Sequence, residues 1–175
     1  MFKRETYKLL SVSLSPNVVG NVTVGLMCNP PRPGDASYEK HEREKSGIIA
    51  SLRRRARLVA DTFNACEGVT CNDTDGAMYS FPRIWLPDGA VKAARAAAKA
   101  PDVFYCLALL NETGISTVPG SGFRQKPGQF HFRTTILPRE EDLPAVLQRF
   151  REFHAGFMQR YGGGAGGGAG ASSKL

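Results

Sequence analysis

The sequence predicts an α+β domain in which helices pack on one side of a small sheet. Two long segments carry apolar residues at three-to-four spacing, which is typical of amphipathic helices. Short β-prone segments rich in valine, isoleucine and aromatic residues lie between them. A length of 175 residues, of which 42% are hydrophobic, is sufficient for one packed core.

The first predicted elements are an extended segment and a long helix. Residues 11–34 begin with apolar–polar alternation and end in a Pro/Gly cluster, which indicates an extended or loop-rich segment. Asp35 or Ser37 can cap a helix that continues to about residue 65. Its apolar stripe consists of Ile48, Leu52, Ala56, Val59 and Phe63. Because mean helix length is about 11–12 residues, we expect so long a helix to link two parts of the structure.

Shorter elements follow the long helix. Strands are predicted over 69–72, 77–86, 115–118 and 130–137. Helices are predicted over 89–100, 103–112 and 140–161. Pro82 places its strand at an edge or a bulge. Asp88 and Asp102 are the expected N-caps, Gly114 is the expected stop, and Glu140 begins an acidic first turn.

One arginine stands out because it lies in an otherwise apolar, β-prone run. Arg133 shares a strand face with His131, Thr135 and Leu137. Its guanidinium cannot lose its proton, and the flat fork suits two parallel hydrogen bonds to a carboxylate. Two interpretations remain open: a site for a small acid, or a salt-bridged or edge-exposed arginine on a half-buried strand. We interpret His131 as an ordinary, partly buried histidine.

A glycine-containing turn precedes this strand and is the second candidate site. It comprises Pro119, Gly120, Ser121, Gly122 and Phe123. Its two glycines permit positive φ and a close approach of the backbone to a ligand.

Charge and cysteine usage narrow the function class. The net charge of +7 includes an arginine cluster at 53–57, which suits either nucleic acid or the solvated face of a helix. The basic residues are spread over many segments, and no aromatic residues interleave with the cluster at 53–57, so the second reading is favoured. No apolar run reaches the ~20 residues of a membrane span. The cysteines form no CxxC pair and the histidines have no ligand spacing to them, so we expect free thiols and no metal site.

The last fourteen residues predict a cellular address. Residues 162–175 read GGGAGGGAGASSKL, a low-complexity and flexible segment. Ser173, Lys174 and Leu175 form a tripeptide that a peroxisomal import receptor reads at the extreme C-terminus. Without a secretory signal at the N-terminus, this predicts a peroxisomal protein.

Six segments, in conserved order and spacing, resemble the alanine and glutamate–glyoxylate aminotransferases. They are SVSLSPNVVGN (11–21), GLMCNPPRPGDASY (25–38), SLRRRARLVADTFNAC (51–66), GAMYSFPRIWLP (76–87), DVFYCLALLNETGISTVPGSGF (102–123) and FHFRTTILP (130–138). The resemblance implies the aspartate aminotransferase fold, with 1–36 from the large domain, 37–161 forming an interdomain helix and the C-terminal small domain, and 162–175 a tail. It also implies pyridoxal 5'-phosphate as cofactor and a homodimer as the assembly.

The resemblance assigns roles to particular residues. Arg133 matches the arginine that binds the substrate α-carboxylate, and the turn 119–123 lies in the substrate region. Ser15 and Asn17 match a loop near the cofactor phosphate, in the same subunit or across the dimer interface. The implied reaction is ping-pong transamination between alanine or glutamate and a 2-oxo acid, namely glyoxylate, pyruvate or 2-oxoglutarate. The peroxisomal tripeptide favours glyoxylate, as in photorespiration.

The chain departs from this family pattern in two respects. Arg124 stands where the pattern usually has glycine. The Schiff-base lysine of the family precedes the segment that matches Ser11, so we expect no catalytic residue here and no activity of the chain alone. A non-enzymatic fragment and a basic nucleic-acid-binding module are the alternatives.

Overall fold

The structure, a computed structural model, describes residues 2–12 and 14–163. Because residues 173–175 lie outside this range, the predicted targeting tripeptide has no structural description. The chain divides into two compact units, 1–47 and 48–175, and helix α3 (Tyr38–Asn64) runs through the boundary. The predicted long helix is confirmed.

The first unit contains two helices before α3, and the second of them lies where an extended or loop-rich segment was predicted. Helix α1 is Phe2–Val12 and helix α2 is Val18–Cys28. The prediction for 11–34 is therefore wrong over α2. Asn17 caps this helix, since its side-chain oxygen accepts a hydrogen bond from the backbone N–H of Gly20 at 3.1 Å. Apolar residues lie on all sides of this helix, so no single apolar stripe indicated the helical period.

Helix α3 enters the core only in its second half. Ala56, Val59, Ala60 and Phe63 are buried, whereas Ile48 is 61% exposed. The predicted stripe is therefore correct from Leu52 onward, and Ile48 is not a core residue. At the start of the helix, the Asp35 carboxylate accepts from the backbone N–H of Arg32 at 2.7 Å instead of capping α3.

Five short strands form an antiparallel sheet with the last strand at its centre. They are β1 (Val69–Thr70), β2 (Tyr79–Ser80), β3 (Arg83–Ile84), β4 (Val118–Pro119) and β5 (Phe130–Thr135). The order is β1-β3-β5-β2, and β4 pairs with β5 as well. Pro82 separates β2 from β3, as expected for a residue that cannot donate to a ladder. Its carbonyl still accepts from the N–H of Phe132 at 3.2 Å.

Three more helices complete the core, and their ends differ from the predicted ones. Helix α4 is Asp88–Ala96, α5 is Pro101–Thr113 and α6 is Leu143–Gly162. Helices α5 and α6 pack against β5, and α4 packs against α5 and α6. Asp88 and Asp102 lie inside the first turns and cap neither helix, because Pro87 and Ala100 occupy the N-cap positions. Helix α4 ends before residue 100, and Ala98 has a φ of +52°. Gly114 ends α5 with a φ of +75°, as predicted.

The acidic residues before α6 also behave differently from the prediction. Glu140 lies before the helix, where its carboxylate binds Arg54. Asp142 is the N-cap position but caps through no side-chain bond, because its carboxylate accepts from Arg139 at 2.7 Å.

Aromatic side chains from α3, α5, α6 and β5 make up the centre of the core. Phe63 packs against Phe132 and Phe150 with ring centroids 5.6 and 4.9 Å apart. Tyr105 packs against Phe157 at 5.0 Å. Such edge-to-face pairs add to the stabilisation from apolar burial.

Tyr105 also anchors a buried histidine. Its hydroxyl lies 3.0 Å from Nδ1 of His154, and Nε2 of that ring lies 2.7 Å from the carbonyl oxygen of Glu67. Nε2 therefore donates to the carbonyl and Nδ1 accepts from the hydroxyl. Burial lowers the pKa of His154, so the neutral ring suits this arrangement.

Candidate functional site

The candidate site lies on the face of β5 that points away from the helices. Phe132 points into the core and is 1% exposed, so Arg133 points to the opposite face. The register pairs Tyr79 with Thr135, Arg83 with His131 and Val118 with Arg133. These paired side chains share one face, and we call it the open face.

Arg133 is half-buried between two aromatic rings on the open face. Its Cζ lies 4.7 Å from the ring centroid of Tyr79 and 4.9 Å from that of Phe123. Both distances are within the range of cation–π attraction. In residues 2–12 and 14–163, the guanidinium of Arg133 forms no ion pair and donates no hydrogen bond. The rings hold the guanidinium plane while its N–H groups remain available.

A single 3₁₀ turn, Gly120–Phe123, brings Phe123 to this arginine. A β-carbon at Gly120 would lie 2.8 Å from both the Cβ and the carbonyl oxygen of His131, so only glycine fits there. Arg124 ends the turn in the left-handed region with a φ of +55°. This conformation accounts for the glycine that the resembled family usually has at this position.

Asp102 fixes the turn from the side of helix α5. Its carboxylate is 2% exposed, and Oδ2 accepts from the N–H of Ser121 at 2.6 Å and from Nε2 of Gln125 at 3.1 Å. The position in the first turn of α5 favours a negative charge through the helix dipole. The other carboxylate oxygen, Oδ1, is buried without a hydrogen-bond partner among the described residues.

His131 connects the turn to the sheet. Its Nδ1 lies 3.1 Å from Oε1 of Gln125, and since the amide of Gln125 donates to Asp102, Nδ1–H donates to Gln125. The ring stacks on Phe81 with centroids 5.0 Å apart and planes 4° from parallel. Partial burial, and then the positive charge of Arg83, lower the pKa of His131. The histidine is partly buried, as predicted.

This geometry suits recognition of a carboxylate. A guanidinium that cannot be deprotonated keeps its full charge, and a carboxylate provides two parallel acceptors for its fork. The interpretation of Arg133 as a salt-bridged arginine does not hold within the described residues. Its central strand position also excludes an edge arginine.

The basic cluster at 53–57 is partly used inside the fold. Nε and Nη2 of Arg54 donate to the two carboxylate oxygens of Glu140 at 2.6 and 2.9 Å. Hydrogen bonding from Arg54 lowers the pKa of Glu140 to about 2. Arg55 donates to the carbonyls of Leu137 and Pro138, both at 3.0 Å. Arg54 and Arg55 therefore bind acceptors within this chain.

The remaining predicted residues lie elsewhere or have other contacts. Ser15 is exposed, and Asn17 caps α2, both in the first unit. All four cysteines are free thiols. Every lysine that the structure describes is exposed. Among the described residues, no helix is both long enough and apolar enough to cross a membrane.

Four residues of the site were not recognised as site residues from the sequence: Tyr79, Phe81, Asp102 and Gln125. Tyr79 and Phe81 carried one usable signal, since they alternate with Ser80 along one strand and so share a face. Asp102 looked like a helix cap, and Gln125 carried no signal, because their contacts depend on the folded position of the turn.

Curated aminotransferases are similar to this chain over most of its length. The chain is 60% identical over 157 residues to glutamate–glyoxylate aminotransferase 1 of Arabidopsis thaliana, covering 90% of this chain and 33% of that protein. It is 52% identical over 159 residues to alanine aminotransferase 2 of Panicum miliaceum, covering 91% and 33%.

The chain is homologous to the alanine and glutamate–glyoxylate aminotransferases. The resemblance predicted from the six motifs is therefore confirmed. The chain spans about a third of the length of the curated relatives that it matches. No family model matches it.

Solved aminotransferases show the same fold. An alanine aminotransferase from Pyrococcus furiosus superposes with a TM-score of 0.62 at 24% identity, covering 85% of this chain and 33% of that one. An aspartate aminotransferase from Rhizobium meliloti superposes with a TM-score of 0.52 at 23% identity, covering 74% and 29%. The predicted α+β class and aminotransferase fold are confirmed.

Proposed function

We propose that this chain is the small-domain part of a pyridoxal-phosphate-dependent transaminase and that Arg133 binds the substrate α-carboxylate. The observation that supports this role is the half-buried guanidinium of Arg133. Two aromatic rings hold it, and no carboxylate of the described residues binds it. In this proposal, residues 1–36 belong to the large domain, 37–161 form the linking helix and the small domain, and 162–175 are a tail.

The proposed substrates are small amino acids and their 2-oxo acids. The names of the relatives support alanine or glutamate as amino donor. Glyoxylate is the acceptor that we favour over pyruvate and 2-oxoglutarate, because identity is higher to a glutamate–glyoxylate enzyme than to an alanine enzyme. The role of Arg133 is the same for each, since all carry a carboxylate next to the reacting carbon.

The described residues do not provide a complete cofactor site by themselves. Pyridoxal 5'-phosphate supplies an electron sink for carbanion chemistry when it forms a Schiff base with a lysine. Such a lysine is desolvated, whereas every described lysine is exposed. The contribution of this chain is therefore to bind and orient the substrate.

A phosphate-side contact is the second part of the proposal. Ser15 and Asn17 precede the N-terminus of α2, where unpaired N–H groups favour anions. We propose that they contact the cofactor phosphate of a homodimer, within the subunit or across its interface. The Asn17 side chain retains its capping bond to Gly20 in this arrangement.

The test of the main proposal is Arg133→Lys in the full-length enzyme. A point charge cannot replace the two-pronged guanidinium, so kcat/KM should fall by more than about tenfold for every amino-acid substrate. Arg57→Lys, at an exposed arginine of α3, is the matched control and should leave kcat/KM unchanged. An unchanged kcat/KM in Arg133→Lys would refute the assigned role.

We propose further that these 175 residues alone catalyse no transamination. Purified chain with alanine, glyoxylate and added pyridoxal phosphate should form no glycine or pyruvate above the blank. Measurable turnover would overturn this part.

The proposed location is the peroxisome. A fluorescent protein fused in front of the chain should accumulate in peroxisomes through the import receptor, and deletion of Ser173, Lys174 and Leu175 should leave it in the cytosol. An identical distribution of the two fusions would refute the targeting role.

A further inference from the structure

We propose that Asp102 is a positioning residue for the Arg133 site, because its carboxylate holds the turn that places Phe123 over the guanidinium. This inference rests on the proposed function, since it affects a substrate only if Arg133 binds one. Asp102 itself touches neither the open face nor Arg133 in the described structure.

One carboxylate oxygen ties the turn at two points. Oδ2 of Asp102 accepts from the backbone N–H of Ser121 at 2.6 Å and from the Gln125 amide at 3.1 Å. Ser121 and Gln125 flank Phe123 at positions two before and two after it. A shift of the carboxylate would therefore move the backbone on both sides of this ring.

A second route connects the same carboxylate to the aromatic lining. Gln125 accepts from the His131 ring, and that ring stacks on Phe81 at 5.0 Å. Phe81 in turn contacts Phe123 edge-to-face at 5.5 Å. The contacts form a closed loop from Asp102 through the sheet to the ring that covers Arg133.

The backbone of the turn needs this support. Gly120 lies too close to His131 for any larger residue, and Arg124 is held in the left-handed region. Such conformations persist only where the surrounding contacts over-determine them. Asp102 supports this backbone by accepting two hydrogen bonds, one from the N–H of Ser121 and one from the amide of Gln125.

The unpaired oxygen argues against a role in stability alone. Oδ1 of Asp102 is buried without a partner among the described residues, and such an acceptor costs free energy. A carboxylate kept at that cost suggests selection for the placement of the turn.

The test compares Asp102→Asn and Gln125→Met with Asp88→Asn in the full 175-residue chain. Asp88 is an exposed aspartate in the first turn of the neighbouring helix α4, which makes it a matched control. The readout is the NMR resonance of the Arg133 Nε–H, which Arg133→Lys identifies and which the rings of Tyr79 and Phe123 shift.

We expect the resonance to move toward its position in Phe123→Ala in both network variants and to stay unchanged in Asp88→Asn. The apparent Kd for 2-oxoglutarate should rise by about three- to tenfold, as for loss of one hydrogen bond. Circular dichroism confirms that each variant is folded. If the Asp102→Asn chain does not fold, the Gln125→Met chain provides the test, because this change replaces a half-buried neutral side chain by one of similar size.

An unchanged Arg133 resonance in the folded variants would overturn the proposal, and so would an unfolded Gln125→Met chain. The proposed function fails separately. If 2-oxoglutarate leaves the wild-type resonance unmoved, Arg133 is not the carboxylate site, while the ligand-free shift in the variants still supports Asp102 as the residue that positions the turn.

Discussion

The two faces of strand β5 differ in how completely their side chains are paired within the chain. On the core face, Phe132 is 1% exposed and contacts Phe63 and Phe150. On the open face, Arg133 is held by two rings and keeps its N–H groups free of protein partners in the described residues. The alternation of a strand thus separates the residues that stabilise the fold from those available to a ligand.

The same contrast holds between two arginines. Both oxygens of Glu140 occupy the fork of Arg54, at 2.6 and 2.9 Å. No carboxylate of the described residues occupies the fork of Arg133. Residue type alone therefore does not distinguish an arginine whose fork is filled within the chain from one whose fork has no carboxylate among the described residues.

The largest predicted effect separates the two faces directly. Phe132→Ala removes a fully buried ring, so we expect the free energy of unfolding to fall by about 3–5 kcal/mol. Arg133→Ala removes only cation–π contacts on a half-exposed surface, so we expect less than about 1 kcal/mol. Urea unfolding of the two variants measures both values. Equal losses would show that the open face is part of the core.

The next effect is the pH dependence of stability from the two histidines. Burial lowers the folded-state pKa of both His154 and His131, so between that pKa and the ordinary 6.5 the unfolded chain binds more protons. The neutral histidines therefore contribute to the stability of the fold fully above pH 6.5, and this stability is lost as the pH falls from 6.5 through the folded-state pKa.

Replacement of each histidine then compares the faces. We expect His154→Gln to flatten the slope of unfolding free energy between pH 7.5 and 5 more than His131→Gln, because His154 is 2% exposed and His131 is only partly buried. Urea midpoints across this range provide the measurement. A larger change in His131→Gln would contradict the assignment of the buried ring to the core.

The smallest effect concerns the filled fork. Arg54 lowers the folded-state pKa of Glu140 from 4.5 to about 2, so the stability from this pair is lost as the pH falls from about 4.5 to about 2. We call the plot of unfolding free energy against pH between about 4.5 and about 2 the acid limb. Glu140→Gln should reduce its slope, and only slightly, because the pair is exposed and screened by salt. An acid limb that is unchanged at low ionic strength would show that the pair contributes nothing.

Elements with one strong local signal were predictable from the sequence. The stripe of α3 from Leu52 onward and the glycine stop at Gly114 depend on nearest neighbours along the chain, and both are present in the structure. Arg133 was recognisable as a charge in an apolar run. Its meaning was not, because the fork could be judged open only after the folded positions of Tyr79 and Phe123 were known.

Two features were mispredicted, one because it lacks a local periodic signal and one because it depends on a distant contact. Helix α2 has apolar residues on all sides, so its pattern indicated no helical face, and the local cue was Asn17. Asp102 was assigned to a helix cap because the sequence shows its neighbours in α5 and not the turn nineteen residues later. The first error comes from the absence of a one-sided apolar stripe, and the second comes from a contact with a distant part of the chain that short-range periodicity does not encode.

The central claim is that the open fork of Arg133 receives a carboxylate. The direct measurement is an NMR titration of the 175-residue chain with 2-oxoglutarate, following the Arg133 Nε–H resonance, with dimethyl 2-oxoglutarate as control. We expect a saturable shift with the acid and none with the ester, because only the acid offers two charged acceptors to the fork. No saturable shift with the acid, or an equal shift with the ester, would contradict the claim.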